Sequence, residues 1–235
     1  MRIAVMNFSG SVGKTTVASH LLAPRMPNAK IFAIESTNET AADLGLDIEK
    51  LRGNRFGQLY RDLMLLDTAI VDVGASNIED FLSCMTQYES SHEDIDRFVL
   101  PVIASGKAQR ETIQTALALA QVGVSPEKIR IVFNRVETDI DTEFSGLIGF
   151  HAKNPIFHVD ERVAIYESEL FELLANRRMS LADVVGDKTD YRQRLRELDP
   201  ADHESRSEFV SRRILQTLAG PVERQFATAF AALME

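Results

Sequence analysis

The densest chemistry in this 235-residue chain lies in seven consecutive residues, GSVGKTT at 10–16. Backbone N–H groups gathered ahead of a helix converge on phosphate oxygens, and glycines let the chain come that close. In such a loop Gly10, Ser11, Val12 and Gly13 supply the backbone cradle. Lys14 reaches the β- and γ-phosphates, Thr15 presents its hydroxyl to Mg²⁺, and Thr16 donates to the α-phosphate. The strict form G-x-x-x-x-G-K-[ST] wants glycine at position 8, where the chain has Phe8. A bare GKT arises by chance, so the pattern gains its meaning from a strand before it and a helix after it. The plain alternative is a glycine turn that merely joins the two.

Elements that could position the loop recur along the chain. Short apolar runs at Arg2–Met6, Lys30–Ile34, Thr68–Val73, Arg97–Ile103, Ile129–Phe133 and Ile156–Val159 predict strands. The intervals leave room for helices such as Thr15–Leu22, Ile78–Gln87 and Gln109–Val122, as crossovers between parallel strands require. Runs apolar on both faces suit a sheet covered on each side. After about Glu161 the pattern becomes helix-formers interleaved with charge, with no strand expected and breaks at Gly186, Asp199-Pro200 and Gly220-Pro221. Pro221 is placed to open a final helix, which sets Val222, Phe226, Phe230 and Leu233 on one side. The expected fold is α/β and P-loop NTPase-like: a mostly parallel central sheet, helices on both faces and a helical C-terminal tail. Residues 1–170 are read as the nucleotide-binding core and 171–235 as a helical extension packed on the same domain.

A formal charge of −9 repels nucleic acid and anionic lipid, so direct binding to either would need a local basic patch. Arg177-Arg178, the run Arg192, Arg194 and Arg196, and Arg212-Arg213 each stand near acidic residues and read as solvated helix faces. The single cysteine, Cys84, rules out a disulfide framework and a CxxC metal pair. With no secretory leader pattern and no long apolar stretch, a cytoplasmic location is expected.

MNFSGSVGKTT is similar to the N-Q-K-G-G-V-G-K-T-T opening of the ParA/MinD family of deviant Walker ATPases. IFAIESTNETAADLG resembles that family's second strand and switch I, AIVDVGAS its Walker B strand and switch II, IVFNRV the strand ending in a base-reading Asn, and IFHVDERVAIYESEL the loop and helix after the last core strand. The resemblance spans about Met1–Leu170 and is nearest to the StbB type of plasmid stabilisation protein. It implies ATP or ADP with Mg²⁺ as cofactors, a nucleotide-dependent homodimer and a plasmid-encoded DNA-binding partner. Lys14 and Asp72 would be the catalytic residues. Asp72 would hold a Mg²⁺-bound water, Gly74 would let switch II approach the γ-phosphate, and Asn134 would bind adenine with Arg135 beside it. An Asp72 that caps the next helix is the structural alternative, for which Ser76 or Asn77 is better placed, and Asn134 could equally be a turn residue.

The chain departs from that family at two positions tied to hydrolysis. Ser9 stands where the family carries the lysine that crosses the dimer interface, and Thr37 where it carries the switch I aspartate. Ser11 also replaces a glycine, and Glu35 is the nearest carboxylate able to assist the metal. The resemblance therefore implies a nucleotide-switched protein of plasmid stabilisation, partition or conjugative transfer, a weak or partner-dependent ATPase. Lys107 and Arg135 are the cations nearest to strand ends that could substitute. The alternatives are a metabolic ATP-dependent enzyme of the same fold, such as one like dethiobiotin synthetase, and a scaffold that binds no nucleotide.

Overall fold

The apolar run at the start of the chain forms β1 (Arg2–Val5), the middle strand of a sheet whose members are all paired in parallel. In the computed structural model, residues 1–34, 48–51 and 56–235 are described. The further strands are β2 (Lys30–Ile34), β3 (Ile48–Leu51), β4 (Ala69–Val73), β5 (Arg97–Val102), β6 (Ile129–Val136) and β7 (Ala164–Tyr166). They lie in the order β3-β2-β4-β1-β5-β6-β7. Successive residues of a strand face opposite sides, and both sides here are dry. Ala4 and Met6 enter one core cluster, while Ile3 and Val5 enter the other.

Helices cover each face. α1 (Lys14–Thr16) runs directly into a wider π-helical segment, Val17–Leu22. The first core cluster draws on α2 (Phe56–Met64), α3 (Ile78–Gln87), α4 (Gly106–Val122), α5 (Ile140–Glu143) and α6 (Ser145–His151). The second draws on segment 17–22, α7 (Leu170–Arg177), α8 (Leu181–Gly186) and α10 (His203–Met234), with α9 (Tyr191–Glu197) packed on α10. Local chemistry marks the ends. Ser105 accepts from the Ala108 N–H at the start of α4, Gly123 closes that helix at φ +103°, and Ser180 with Asp183 forms a reciprocal cap on α8.

Three sequence expectations are corrected. Ile156–Val159 is not a strand: it makes one bridge, Arg130 to His158, before a turn closed by the Val163 N–H on the Asp160 carbonyl. The edge strand lies later, at Ala164–Tyr166, where only helix was expected, and β3 was not foreseen. β3 reads IEKL, with two charges between its apolar ends instead of an apolar run, and the three residues of β7 carry too little alternation to register as a pattern. Finally, Pro221 lies inside α10 instead of opening a new helix. Proline there removes one backbone donor, at ~3 kcal/mol. Burial on both sides of it, at Leu215, Ala219, Val222, Phe226 and Leu233, offsets that cost and keeps the helix continuous.

Of the basic runs, Arg177 and Arg212 both donate to the Glu208 carboxylate. The apolar face expected in the tail is inward: Val222, Phe226 and Leu233 are buried and Phe230 packs partly against them. Phe226 has no exposed surface, stacks on Phe171 and lies beneath the Arg25 guanidinium. Phe226→Ala should cost about 3–5 kcal/mol of stability, read as a lower urea midpoint with little change in slope.

Candidate functional site

The register of the sheet brings the candidate residues together. β1 pairs with β4 so that Val5 lies beside Asp72, and β1 is flanked on its other side by β5. Crossovers from the central strands depart to opposite sides here, which opens a crevice at the carboxyl ends of the strands. The GSVGKTT loop leaves β1 into that crevice. Its entry is fixed by Asn7, fully buried, whose Nδ2 donates to the Pro101 carbonyl (2.9 Å) and to Thr112 Oγ1 (2.6 Å). Asn7 Oδ1 accepts from the Ser9 N–H at 2.8 Å, and the Phe8 N–H donates to Thr115 Oγ1 at 3.0 Å. Sequence reading had singled out none of Asn7, Thr112 and Thr115. The signal for Asn7 was its place at the end of β1; the two threonines are linked to the loop only through the fold.

Within the loop the backbone turns into the left-handed region at Ser11 (φ +57°) and Gly13 (φ +89°). Alternation of this kind makes a concave nest of N–H groups. Among the described residues, the N–H groups of Gly10, Ser11 and Gly13 meet no protein acceptor. Lys14, buried, donates through Nζ to the carbonyls of Ser9 (2.8 Å) and Asn7 (3.2 Å), which folds its ammonium back over the loop. Unmatched donors, a nest and a cation at the start of a helix fit a polyphosphate chain. Gly10 is not demanded by packing, since a Cβ there would meet nothing within 4 Å.

Gly13 is demanded. A Cβ on it would lie 2.1 Å from Asn134 Nδ2, in a backbone conformation that L residues avoid. Asn134 is buried at the end of β6, and its Nδ2 donates to the Val12 carbonyl at 2.8 Å. The strand bulges just beyond it, the β6–β7 register shifting between Asn134 and Val136, with Arg135 at φ +55°. A bulge re-aims the side chains around it. Asn134, Arg135 and Thr16 line a cavity of about 410 Å³, shared with Tyr166, Phe171 and the glutamates 167, 169 and 172. That volume is of the size of small-molecule pockets, and it opens beside Thr16 at the helical end of the loop.

Across the crevice Thr15 Oγ1 donates to Asp72 Oδ2 at 2.9 Å. Asp72 is buried, and burial pushes its carboxyl up from 3.8 to about 6, against the lowering effects of the Thr15 hydroxyl and the Lys14 charge. A hydroxyl and a carboxylate side by side are oxygen donors that would suit a hard cation such as Mg²⁺. The strand continues to Gly74, whose N–H donates to the Ile34 carbonyl at 2.8 Å, and Asn77 Nδ2 reaches the same carbonyl at 3.3 Å. Asn77 occupies the position before α3 but its side chain caps nothing.

Glu35 and Thr37 lie outside the described residues. Ser9, one of the two positions singled out in the sequence, is only 5% exposed. Lys107 is exposed and sits 3.7 Å from Glu111. No helix among the described residues is long and apolar enough to cross a membrane.

No protein-family model matches the chain, and no curated protein matches it in sequence. Solved structures do share its fold. McdA from Cyanothece superimposes with a TM-score of 0.54 at 16% identity, covering 78% of this chain and 92% of its own, and a variant of it has been solved with ATP (TM-score 0.50, 14% identity, 96% of each chain). MinD in its complex with MinC from Aquifex aeolicus gives 0.53 at 14% identity, covering 92% and 95%. A ParA family ATPase from Chlorobium tepidum gives 0.51 at 14%, covering 80% and 92%. The architecture is thus the P-loop NTPase-like fold of ParA and MinD.

The raised Asp72 carboxyl fixes the sign of a pH effect. Its folded value lies above the unfolded one, so the ionised group opposes folding. That opposition is complete above about pH 6 and is relieved as pH falls from 6 toward 3.8. At ~1.4 kcal/mol per pKa unit it amounts to about 3 kcal/mol. Asp72→Asn should therefore stabilise the nucleotide-free protein at pH 7 by up to that amount. The gain should shrink toward zero near pH 4, followed by urea unfolding across the range.

Proposed function

We propose that this chain is a ParA-like nucleotide switch that binds ATP or ADP with Mg²⁺ and serves plasmid stabilisation, partition or conjugative transfer. The observation that carries this reading is the buried Lys14 ammonium over a nest-forming loop, with Thr15 bonded to Asp72 at 2.9 Å on its flank. The fold shared with McdA, MinD and a ParA family ATPase supports it, as does the ATP complex solved for McdA. Residues 1–170 then form the nucleotide-binding core and 171–235 brace it from one face.

In this reading the N–H groups of residues 10–13 hold the phosphates, and Lys14 neutralises their charge without leaving the loop carbonyls it already touches. Thr15 would ligate the metal directly and Asp72 through water, with Glu35 a further candidate. Bound ATP supplies the γ-phosphate whose presence or loss separates the two states of the switch. Asn134 fixes the Val12 carbonyl, and with Arg135 it lines the cavity that would take the nucleoside. Partners of the switch would be a second copy of the chain and a plasmid-encoded DNA-binding protein.

Hydrolysis is expected to be weak or to depend on a partner, because Ser9 brings no charge and Thr37 replaces an acidic residue. Loss of one transition-state cation costs about 10³–10⁵ in rate. Steady-state phosphate release by the purified chain should therefore fall far below the ~10 s⁻¹ of a median enzyme. Turnover near that value would show that other residues had taken both roles, with Lys107 and Arg135 the first to replace.

Calorimetry with ATP, ADP and a non-hydrolysable analogue, with and without Mg²⁺, tests binding itself. Lys14→Ala should weaken ATP at least about tenfold, as a charge-assisted bond to phosphate is lost. Ser9→Ala should change affinity little, because Ser9 serves the loop through its backbone N–H and carbonyl. Undiminished affinity in Lys14→Ala would reject the phosphate-loop assignment.

A further inference from the structure

At the amino ends of β5 and β6, opposite the phosphate loop, stands a second group of cations. Val99 pairs with Arg130, so Arg97, two residues before Val99, emerges on the same face of the sheet as Arg130. His158 is joined to Arg130 by the single parallel bridge beside β6. Arg130 is 6% exposed, and its Nε is enclosed with no hydrogen-bond partner. Among the described residues nothing accepts from its guanidinium. The Arg97 Nε is likewise enclosed and unpartnered, its Nη1 reaching only the Asp96 carbonyl at 3.0 Å.

The Arg97 charge acts unfavourably on Arg130, and burying a guanidinium without a partner is costly. The nearby acids offset this only through space: Asp160 and Glu127 each favour the charged Arg130, and neither bonds to it. Asp160 is held by Arg162 through Nε and Nη2, and Glu127 is fully exposed and bonded to Ser125. Burial first and then the Arg97 charge lower the Arg130 guanidinium against the pull of Asp160 and Glu127, and burial with Arg130 likewise lowers His158 against the pull of Asp160. The group offers guanidinium N–H donors from two adjacent strands with an imidazole beside them, groups of the kind that match a tetrahedral oxyanion.

We infer that Arg97, Arg130 and His158 form a binding site for a small oxyanion of the phosphate class, separate from the phosphate loop and on the opposite end of the sheet. Its occupant is a free anion, held by guanidinium forks from two adjacent strands. Nothing in this site depends on the nucleotide reading of the loop.

The test uses the full chain carrying Lys14→Ala, so that the loop does not compete for the probe. Thermal unfolding is followed against inorganic phosphate at constant ionic strength, with chloride as the control for screening. At ten times the dissociation constant the midpoint should rise by about 3–6 °C in phosphate and stay unchanged in chloride. Adding Arg130→Met should abolish that response while the phosphate-free midpoint stays level or rises, since an unpaired buried cation has gone. If Arg130→Met does not fold, Arg97→Gln takes its place, and it too should abolish the response. No rise in phosphate, an equal rise in chloride, or an undiminished rise in the folded variant would each overturn the site.

Discussion

The parallel register of β1 against β4 is the constraint on which the candidate site rests. It sets Val5 beside Asp72, so the chain leaving β1 must pass the carboxylate before it can turn into α1. Thr15 then meets Asp72 at 2.9 Å with no freedom to be elsewhere. A slip of one residue would turn Asp72 to the opposite face of the sheet and break the pair. Enclosing an ionisable carboxyl here is unfavourable, as its value of about 6 records, and the Thr15 hydroxyl and Lys14 charge offset only part of that. The group is held in a state that a cation would relieve.

The loop between them is held from two sides by asparagine amides. Asn7 ties its entry to the end of β5 and to α4, and Asn134 ties its middle to the end of β6. Each uses a buried amide to satisfy a main-chain group that the sheet leaves over, as buried polar groups must. The contact at Gly13 shows how tightly the second tie is drawn: no side chain fits between that residue and Asn134. Backbone donors fixed in this way would need little reordering to receive a ligand, which is where preorganised sites gain their affinity.

On the far face, α10 and segment 17–22 share one apolar cluster with the central strands. The helix that begins at the phosphate loop therefore rests on the C-terminal tail. His20 lies in that contact, buried, its Nδ1 facing the Leu181 N–H, and burial lowers its value to about 4. It stays neutral at physiological pH and belongs to the packing.

The loop, its strand and helix, the Asp72 strand, the parallel class of the sheet and the inward face of the tail were all legible in the sequence. Each is a local pattern: runs apolar on both faces, glycines beside a lysine, or a helical spacing of large side chains. Other features belong to the tertiary structure alone. The charged centre of β3 and the three residues of β7 show no strand pattern, and their strand character comes from the neighbours that complete their hydrogen bonds. Pro221 reads locally as a boundary, and only burial on both sides of it keeps α10 whole. The bonds of Asn7 to Thr112 and of Asn134 to Val12 span more than 100 residues of chain, and Arg130 comes beside Arg97 and His158 only through the pairing of β6 with its neighbours. Sequence fixes which groups can donate, accept or carry charge; which of them meet is decided by strand order and register, and those are properties of the folded sheet.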